Sequence, residues 1–318
     1  MSTHSRLAEF PISFFAIVMG LSGFTIAWEK TVIHCKIPIP IHYPFLALTI
    51  TVFCVILFYY TLKIIRHKEA VGSELKHPVK LSFFPTASIS LLLLATALLH
   101  IAPPVSELLW SIGTILHFTL LLFVLNSWLN QPHFKIQHLN PAWFIPAVGN
   151  VLVPIAGTHF GYYEISWFFF SVGILFWLLL LTIVFYRILF HEPLPTKLKP
   201  TLFILIAPPA VGFISYIRLQ EGLDDFGRIL YYVGLFFTLF LFTQVPRLKK
   251  VPFFLSSWAY SFPMAAITIA SWVMYQSTET AIYKGLALTF LTILTLVVLY
   301  LFVKTIQAII NKKICLPE

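Results

Sequence analysis

Proline is confined to alternate members of a series of apolar segments, and that alternation limits what the chain can fold into. Ten segments run at approximately 11–28, 45–65, 81–102, 107–129, 141–160, 165–189, 201–219, 227–245, 253–275 and 281–307. A helical membrane span needs about 20 apolar residues, which each of them approaches or exceeds. The third, fifth, seventh and ninth carry interior proline: Pro85, Pro146 with Pro154, Pro208 with Pro209, and Pro263. The even-numbered segments carry none past their first turn and are filled with Phe, Leu, Ile and Val. Proline removes one helix N–H and clashes with the carbonyl four residues back. In hydrocarbon the freed carbonyl must find a partner, so such helices belong where they pack on protein or line water. The alternation therefore predicts an all-α membrane protein built from one helical hairpin used five times, with kinked odd helices inside and bulky even helices facing lipid.

Composition agrees with that architecture. Charged residues make up 10% of the 318 residues and hydrophobic residues 59%, whereas soluble domains carry about a quarter charged residues. Ten helices and short loops use up the length, so residues 1–318 are expected to form a single transmembrane domain. Cys35, Cys54 and Cys315 fall at different depths and form no CxxC motif. His34, Cys35 and His42 share a loop without acidic company, so no metal site or cofactor is expected. Seven tryptophans, among them Trp28, Trp110, Trp143 and Trp258, fall near segment ends, where an indole prefers the headgroup layer.

Basic residues set the expected orientation. With the N-terminus inside, sixteen of the 21 Lys and Arg border the cytoplasmic face, and Lys30, Lys36, Arg218, Arg228 and Lys284 remain outside. The positive-inside rule then places both termini in the cytoplasm. The same partition accounts for the net charge of +9 through anionic lipid headgroups, with no nucleic-acid partner required.

The odd segments also hold small and weakly polar residues, which permit close helix approach and offer hydroxyls to orphaned carbonyls. Gly20, Ser88, Asn150, Ser215 and Ser261 are the candidate pore-lining positions, and Pro85, Pro146, Pro208 and Pro263 the candidate kinks. All twelve carboxylates, from Glu9 to Glu318, fall in loops, tails or helix ends, and no lysine lies mid-span. His117 in the fourth segment is the one deep histidine, and its place on an outer helix suggests packing or hydrogen bonding. A path without fixed charge binds a permeant ion weakly, which suits fast passage.

Four stretches, in order and with matched spacing, resemble one family. These are His77-Pro78-Val79-Lys80 followed by Ser82 and Phe83, and Phe144-Ile145-Pro146-Ala147-Val148 with Asn150. Next come Ala207-Pro208-Pro209-Ala210 leading to Ser215-Tyr216, and Trp258-Ala259-Tyr260-Ser261-Phe262-Pro263-Met264-Ala265. Together they resemble the tellurite-resistance TehA and plant slow-type anion channel family, also described as tellurite-resistance/dicarboxylate transporters. The resemblance implies ten transmembrane helices in a pseudo-five-fold arrangement, an inner pore ring of odd helices, and a homotrimer with one pore per subunit. It further implies selective passage of small inorganic anions such as chloride and nitrate, with Phe262 as the residue that plugs the pore, in a bacterial inner (plasma) membrane.

Two other functions compete. A secondary carrier of dicarboxylates or tellurium oxyanions would place an Arg or Lys at the midplane, and the chain has none there. An intramembrane serine protease is suggested by Gly20-Leu21-Ser22-Gly23, but no mid-span histidine on an odd helix partners the serine. Small-residue packing explains that string, and the chain is not expected to be an enzyme.

Overall fold

The computed structural model describes residues 5–132 and 134–316, so Glu318 lies outside the described residues. These residues are helical, with no strand among them. The α-helices are α1 (Phe15–His34), α2 (His42–Arg66), α3 (Lys68–Lys76), α4 (Thr86–Leu98) and α5 (Pro103–Asn130). They continue as α6 (Phe144–Val148), α7 (Val153–Gly157), α8 (Tyr163–Phe190), α9 (Ala207–Gln220) and α10 (Asp225–Phe242). The last three are α11 (Val245–Leu248), α12 (Ser261–Thr278) and α13 (Ala281–Ile310). Eight helices, counting the 3₁₀ turns that lead into them, are long and apolar enough to cross a membrane, and Pro141–Gly157 is a shorter apolar helix. The protein is an integral, multi-pass membrane protein.

Burial divides the spans into two kinds. In the windows of Ile12–His34, Lys80–Leu98 and Thr196–Gln220, between 78% and 83% of residues are buried in protein. In the spans containing α2, α5, α8, α10 and α13 the share is only 28% to 39%. The less buried helices pack through one stripe, as in Tyr283, Ala287, Phe290, Leu294, Val298 and Leu301 of α13. Their remaining faces expose Phe58, Ile115, Leu175, Phe236 and Leu296. Water would penalise such a surface at about 25 cal/mol per Å², whereas acyl chains solvate it. The buried helices are rich in Gly, Ala, Ser and Thr, and their hydroxyls bond within their own helices. Thr25 donates to the Leu21 carbonyl (2.9 Å), Thr268 to Met264 (2.7 Å) and Ser271 to Ile267 (2.8 Å).

Each of α1, α4, α7, α9 and α12 packs on the long helix that follows it, and they also contact one another. α1 touches α4, α4 touches α7, α7 touches α9, α9 touches α12, and α12 returns to α1. Tryptophans tie neighbours together: Trp110 Nε1 donates to the Val153 carbonyl, Trp258 Nε1 to Thr305, and Trp272 Nε1 to Thr31, each at 2.9 Å.

The prolines do not interrupt long α-helices. The chain enters each of these spans through a 3₁₀ turn: Ile12–Phe14, Lys80–Phe83, Pro141–Trp143, Thr196–Ile206 and Leu255–Tyr260. Pro85 is the N-cap of α4, Pro208 and Pro209 occupy the first turn of α9, and Pro263 is the third residue of α12. Pro146 is the third residue of the short α6, and a further 3₁₀ turn, Gly149–Leu152, separates it from Pro154 in α7. A proline in the first turn forfeits no hydrogen bond, since that N–H has no intrahelical partner. The carbonyls four residues back are taken by the tighter turns: Phe84 N–H donates to Leu81, and Ala207 N–H to Ile204.

Two further elements depart from the sequence expectation. The first span continues past Trp28 to His34, carrying Glu29 and Lys30 on the helix. The second loop contains α3, which buries Glu74 against Lys63 of α2 with the ion pair closed to 3.0 Å. Tyr60 donates to the same carboxylate (3.0 Å) and Lys63 also donates to the Phe10 carbonyl (2.9 Å).

Candidate pore

Three cavities follow one another along the faces that the buried helices turn toward each other. The first, of about 70 Å³, is bordered by apolar groups including Ala16, Phe83, Val148, Val211 and Phe262, and by no charged residue. The second, of about 60 Å³, is bordered by Gly23, Leu93, Ile155, Ala266 and Phe262, with Lys30 and Arg218 toward the helix ends. The third is a vestibule of about 540 Å³ beyond those ends, with His159, Tyr163 and Glu221 on its walls. Each of the smaller two has room for a few water-sized particles, since one water needs about 10–15 Å³.

Shared walls give the order. Leu152, Val211 and Phe262 border both the first and the second cavity. Lys30, Ile214, Arg218 and Val273 border both the second and the vestibule. Phe262 thus lies between two voids, and it is half-buried where Ser261 and Pro263 on either side are buried. Gly23 of α1 provides the room beside it. A Cβ at that glycine would stand 2.8 Å from Ala265 Cβ and 3.4 Å from the Phe262 ring.

Among the expected site residues, Phe262, Pro208 and Pro263 border the cavities. Gly20, Ser88, Asn150, Ser215 and Ser261 border none of the three. Their partners explain why. Gly20 lies against Ser261 and Trp258, so α1 and α12 meet there almost backbone to side chain. Ser261 Oγ donates to the Trp258 carbonyl (2.6 Å), Asn150 Nδ2 to Ala147 (2.6 Å), and Ser215 Oγ to Val151 on the neighbouring chain segment. Ser88 Oγ donates to Pro85 (2.9 Å) and lies 2.9 Å from His117 Nδ1. In a low-dielectric interior a polar atom without a partner costs roughly 1–3 kcal/mol, so these side chains turn to nearby carbonyls rather than face a void. Pro85 and Pro146 likewise lie off the cavity walls. His117, fully buried, reaches from α5 to Ser88 and packs against Gly149.

Sequence alone placed Lys30 in an outer loop and Arg218 at the outer end of the seventh segment. Both sit on helices and border the passage between the vestibule and the second cavity. An i, i+3/i+4 count from Gly23 through Ile26 to Lys30 on the first helix was the available signal.

A bundle of buried helices, wrapped by lipid-facing ones and holding a file of voids, is a membrane protein of the channel and transporter class. The chain belongs to the SLAC1 family, described as voltage-dependent anion channel, whose model matches residues 9–306. It is 28% identical over 308 residues to the S-type anion channel SLAH3 of Arabidopsis thaliana, covering 94% of this chain and 48% of the plant protein. It is 28% identical to an uncharacterized transporter of Methanocaldococcus jannaschii, covering 90% of each. The tellurite resistance protein TehA homolog of Haemophilus influenzae is 24% identical, over 86% of this chain and 82% of that protein. The chain thus spans about half the length of the plant channel and most of the two prokaryotic proteins. Its relatives are channels and transporters rather than enzymes.

Proposed function

We propose that this chain is an anion channel that passes small monovalent anions, chloride and nitrate, through a central pore closed by Phe262. Ten crossings form five hairpins in pseudo-five-fold order, with the odd crossings as the inner ring. The observation that carries the proposal is a pair of successive voids, the inner one without any charged wall residue, interrupted at one aromatic ring that borders both. Weak sites along such a path favour ions that shed water readily and leave quickly. Both termini face the cytoplasm of a bacterial inner membrane, in keeping with the basic bias of the loops. The functional unit is a homotrimer with one pore per subunit. Gly20, Ser88, Asn150, Ser215 and Ser261 serve the pore as spacers that set how closely the inner helices approach.

Planar-bilayer reversal potentials of the purified protein under chloride, nitrate and gluconate gradients test this. Selectivity is expected to run nitrate or iodide above chloride, with potassium and bulky carboxylates excluded. Equal permeability to potassium, or malate exceeding nitrate, overturns it. The relative named for tellurite resistance motivates one alternative, a carrier of dicarboxylates or tellurium oxyanions. Saturable counterflow of labelled substrate without uncoupled current would favour the carrier.

A further inference from the structure

The passage from the vestibule into the second cavity is walled by four residues, and two of them are cations, Lys30 and Arg218. Neither is in the Lys63–Glu74 ion pair, which lies at the opposite ends of the helices. The hydrogen bonds of the carboxylates at this end of the helices come from groups other than Lys30 and Arg218. Glu221 accepts from Tyr163 Oη (3.2 Å), and Glu107 from Tyr162 Oη (2.7 Å). Asp224 accepts from Gly227 N–H (2.9 Å) and Tyr216 Oη (2.5 Å), capping α10. Glu29 is the remaining carboxylate on the second cavity's wall.

Two imidazoles complete the mouth. His100 borders the second cavity and His159 the vestibule, and their rings meet edge to face at 5.6 Å. The charged groups around His100 are Glu29 and Lys30 from α1, Arg218 from α9, and His159 from the segment after α7. Farther out, His34 stacks on Trp272 at 5.1 Å and Lys284 lies 5.9 Å over the Tyr275 ring. Partial burial holds the His100 imidazole below its usual range, and the positive fields of Lys30, His159 and Arg218 push it the same way.

We propose that Lys30 and Arg218 form a capture site for a small monovalent anion, a halide or nitrate, at the outer mouth, strengthened when His100 is protonated. A bound anion cancels the two cationic fields that disfavour imidazolium, so binding draws a proton onto His100. By linkage, protonation tightens binding by the same factor. With Lys30 and Arg218 formally balanced by Glu29 and Glu221 at neutral pH, the mouth gains net positive charge as the medium acidifies. Anion affinity therefore rises as pH falls through the His100 range. The inference rests on the channel reading for its purpose, but its test does not require conduction.

Nitrate binding to the purified full chain is measured calorimetrically against a gluconate reference at pH 8 and pH 5.5, beside bilayer currents. Lys30→Gln and Arg218→Gln are each expected to weaken binding by about tenfold, as loss of a close, partly desolvated charge should. Lys30→Arg retains binding, and His100→Gln removes the gain on acidification. Wild-type protein without measurable nitrate binding overturns the site. So does a monodisperse Lys30→Gln/Arg218→Gln double variant that binds like wild type. Tightening at pH 5.5 that survives combined His100→Gln and His159→Gln overturns the histidine role. Binding that follows the expected pattern without any anion current leaves the site standing and defeats the channel. Selective currents with binding indifferent to the variants do the reverse.

Discussion

At the scale of single residues, the phenylalanine before a proline carries most of the functional weight. The residue preceding proline is biased away from regular helix, yet Phe262 is the second residue of α12, directly after the 3₁₀ turn Leu255–Tyr260. Gly23 stands beside its ring, where a Cβ would crowd Ala265 at 2.8 Å and touch the ring at 3.4 Å. Phe84 also precedes a proline but is buried, edge-on to Tyr60 at 6.4 Å, and borders none of the cavities. The two therefore make a matched comparison. Phe262→Ala is expected to raise anion conductance by about tenfold or more, since removing a steric and dewetting barrier opens the path. Phe84→Ala should change it far less and act through stability instead. Single-channel recording with a check of expression and oligomeric state decides, and a well-folded Phe262→Ala protein that conducts like wild type removes Phe262 as the gate.

At the scale of elements, proline and 3₁₀ geometry work together. The 3₁₀ turns place proline where its missing N–H is not needed and let the preceding carbonyls find partners. The entry segments thereby stay narrow without exposing unsatisfied backbone to lipid. The short helix α3 adds a clasp on the same side. It presses Glu74 onto Lys63, which also reaches the Phe10 carbonyl ahead of α1, so three separate segments meet at one buried charge pair. Glu74→Gln leaves Lys63 buried without its counter-charge, and a loss of about 3 kcal/mol is expected. Denaturant unfolding in detergent reads the loss. Replacing both partners by Lys63→Met and Glu74→Leu should recover most of it, because the unpaired charge rather than the absent attraction is what costs. If the single substitution is neutral, the pair is not a clasp.

At the scale of the whole molecule, orientation is the property on which every statement about inside and outside depends. Basic residues lie mainly at the end where α2, α8 and α13 finish, including Lys63, Arg66, Arg187 and Lys304. The vestibule lies at the other end, beside the ends of α1, α9 and α12. A fluorescent-protein fusion after residue 318 is expected to fluoresce and an alkaline phosphatase fusion there to be inactive. An active phosphatase would invert the assignment and make the Lys30–Arg218 mouth the cytoplasmic entrance. The lipid-facing helices leave ample apolar surface for subunit contacts, and the mass of the detergent-solubilised particle tests the trimer.

What the sequence by itself determined was the all-helical membrane class, the positions of the apolar segments and the family, because these follow from local and periodic properties. Twenty apolar residues have one low-energy fate in hydrocarbon, and interior proline and glycine mark the helices that must be covered by protein. Tertiary structure decided which side chains face the voids. Successive residues turn about 100° around a helix, so rank along a span does not say whether a residue faces a neighbour or a lumen. The hydroxyls of Ser88, Ser215 and Ser261 bond nearby carbonyls, and apolar residues such as Ala16, Val148, Val211 and Ala266 border the cavities. On sequence the first span ends at Trp28, just before Glu29 and Lys30. The helix continues to His34, and the second cavity and the vestibule, rather than hydrocarbon, lie beside those groups, Glu29 bordering the cavity and Lys30 both. Glu74 read as a loop carboxylate, and only the folding of α3 onto α2 brought it within reach of Lys63.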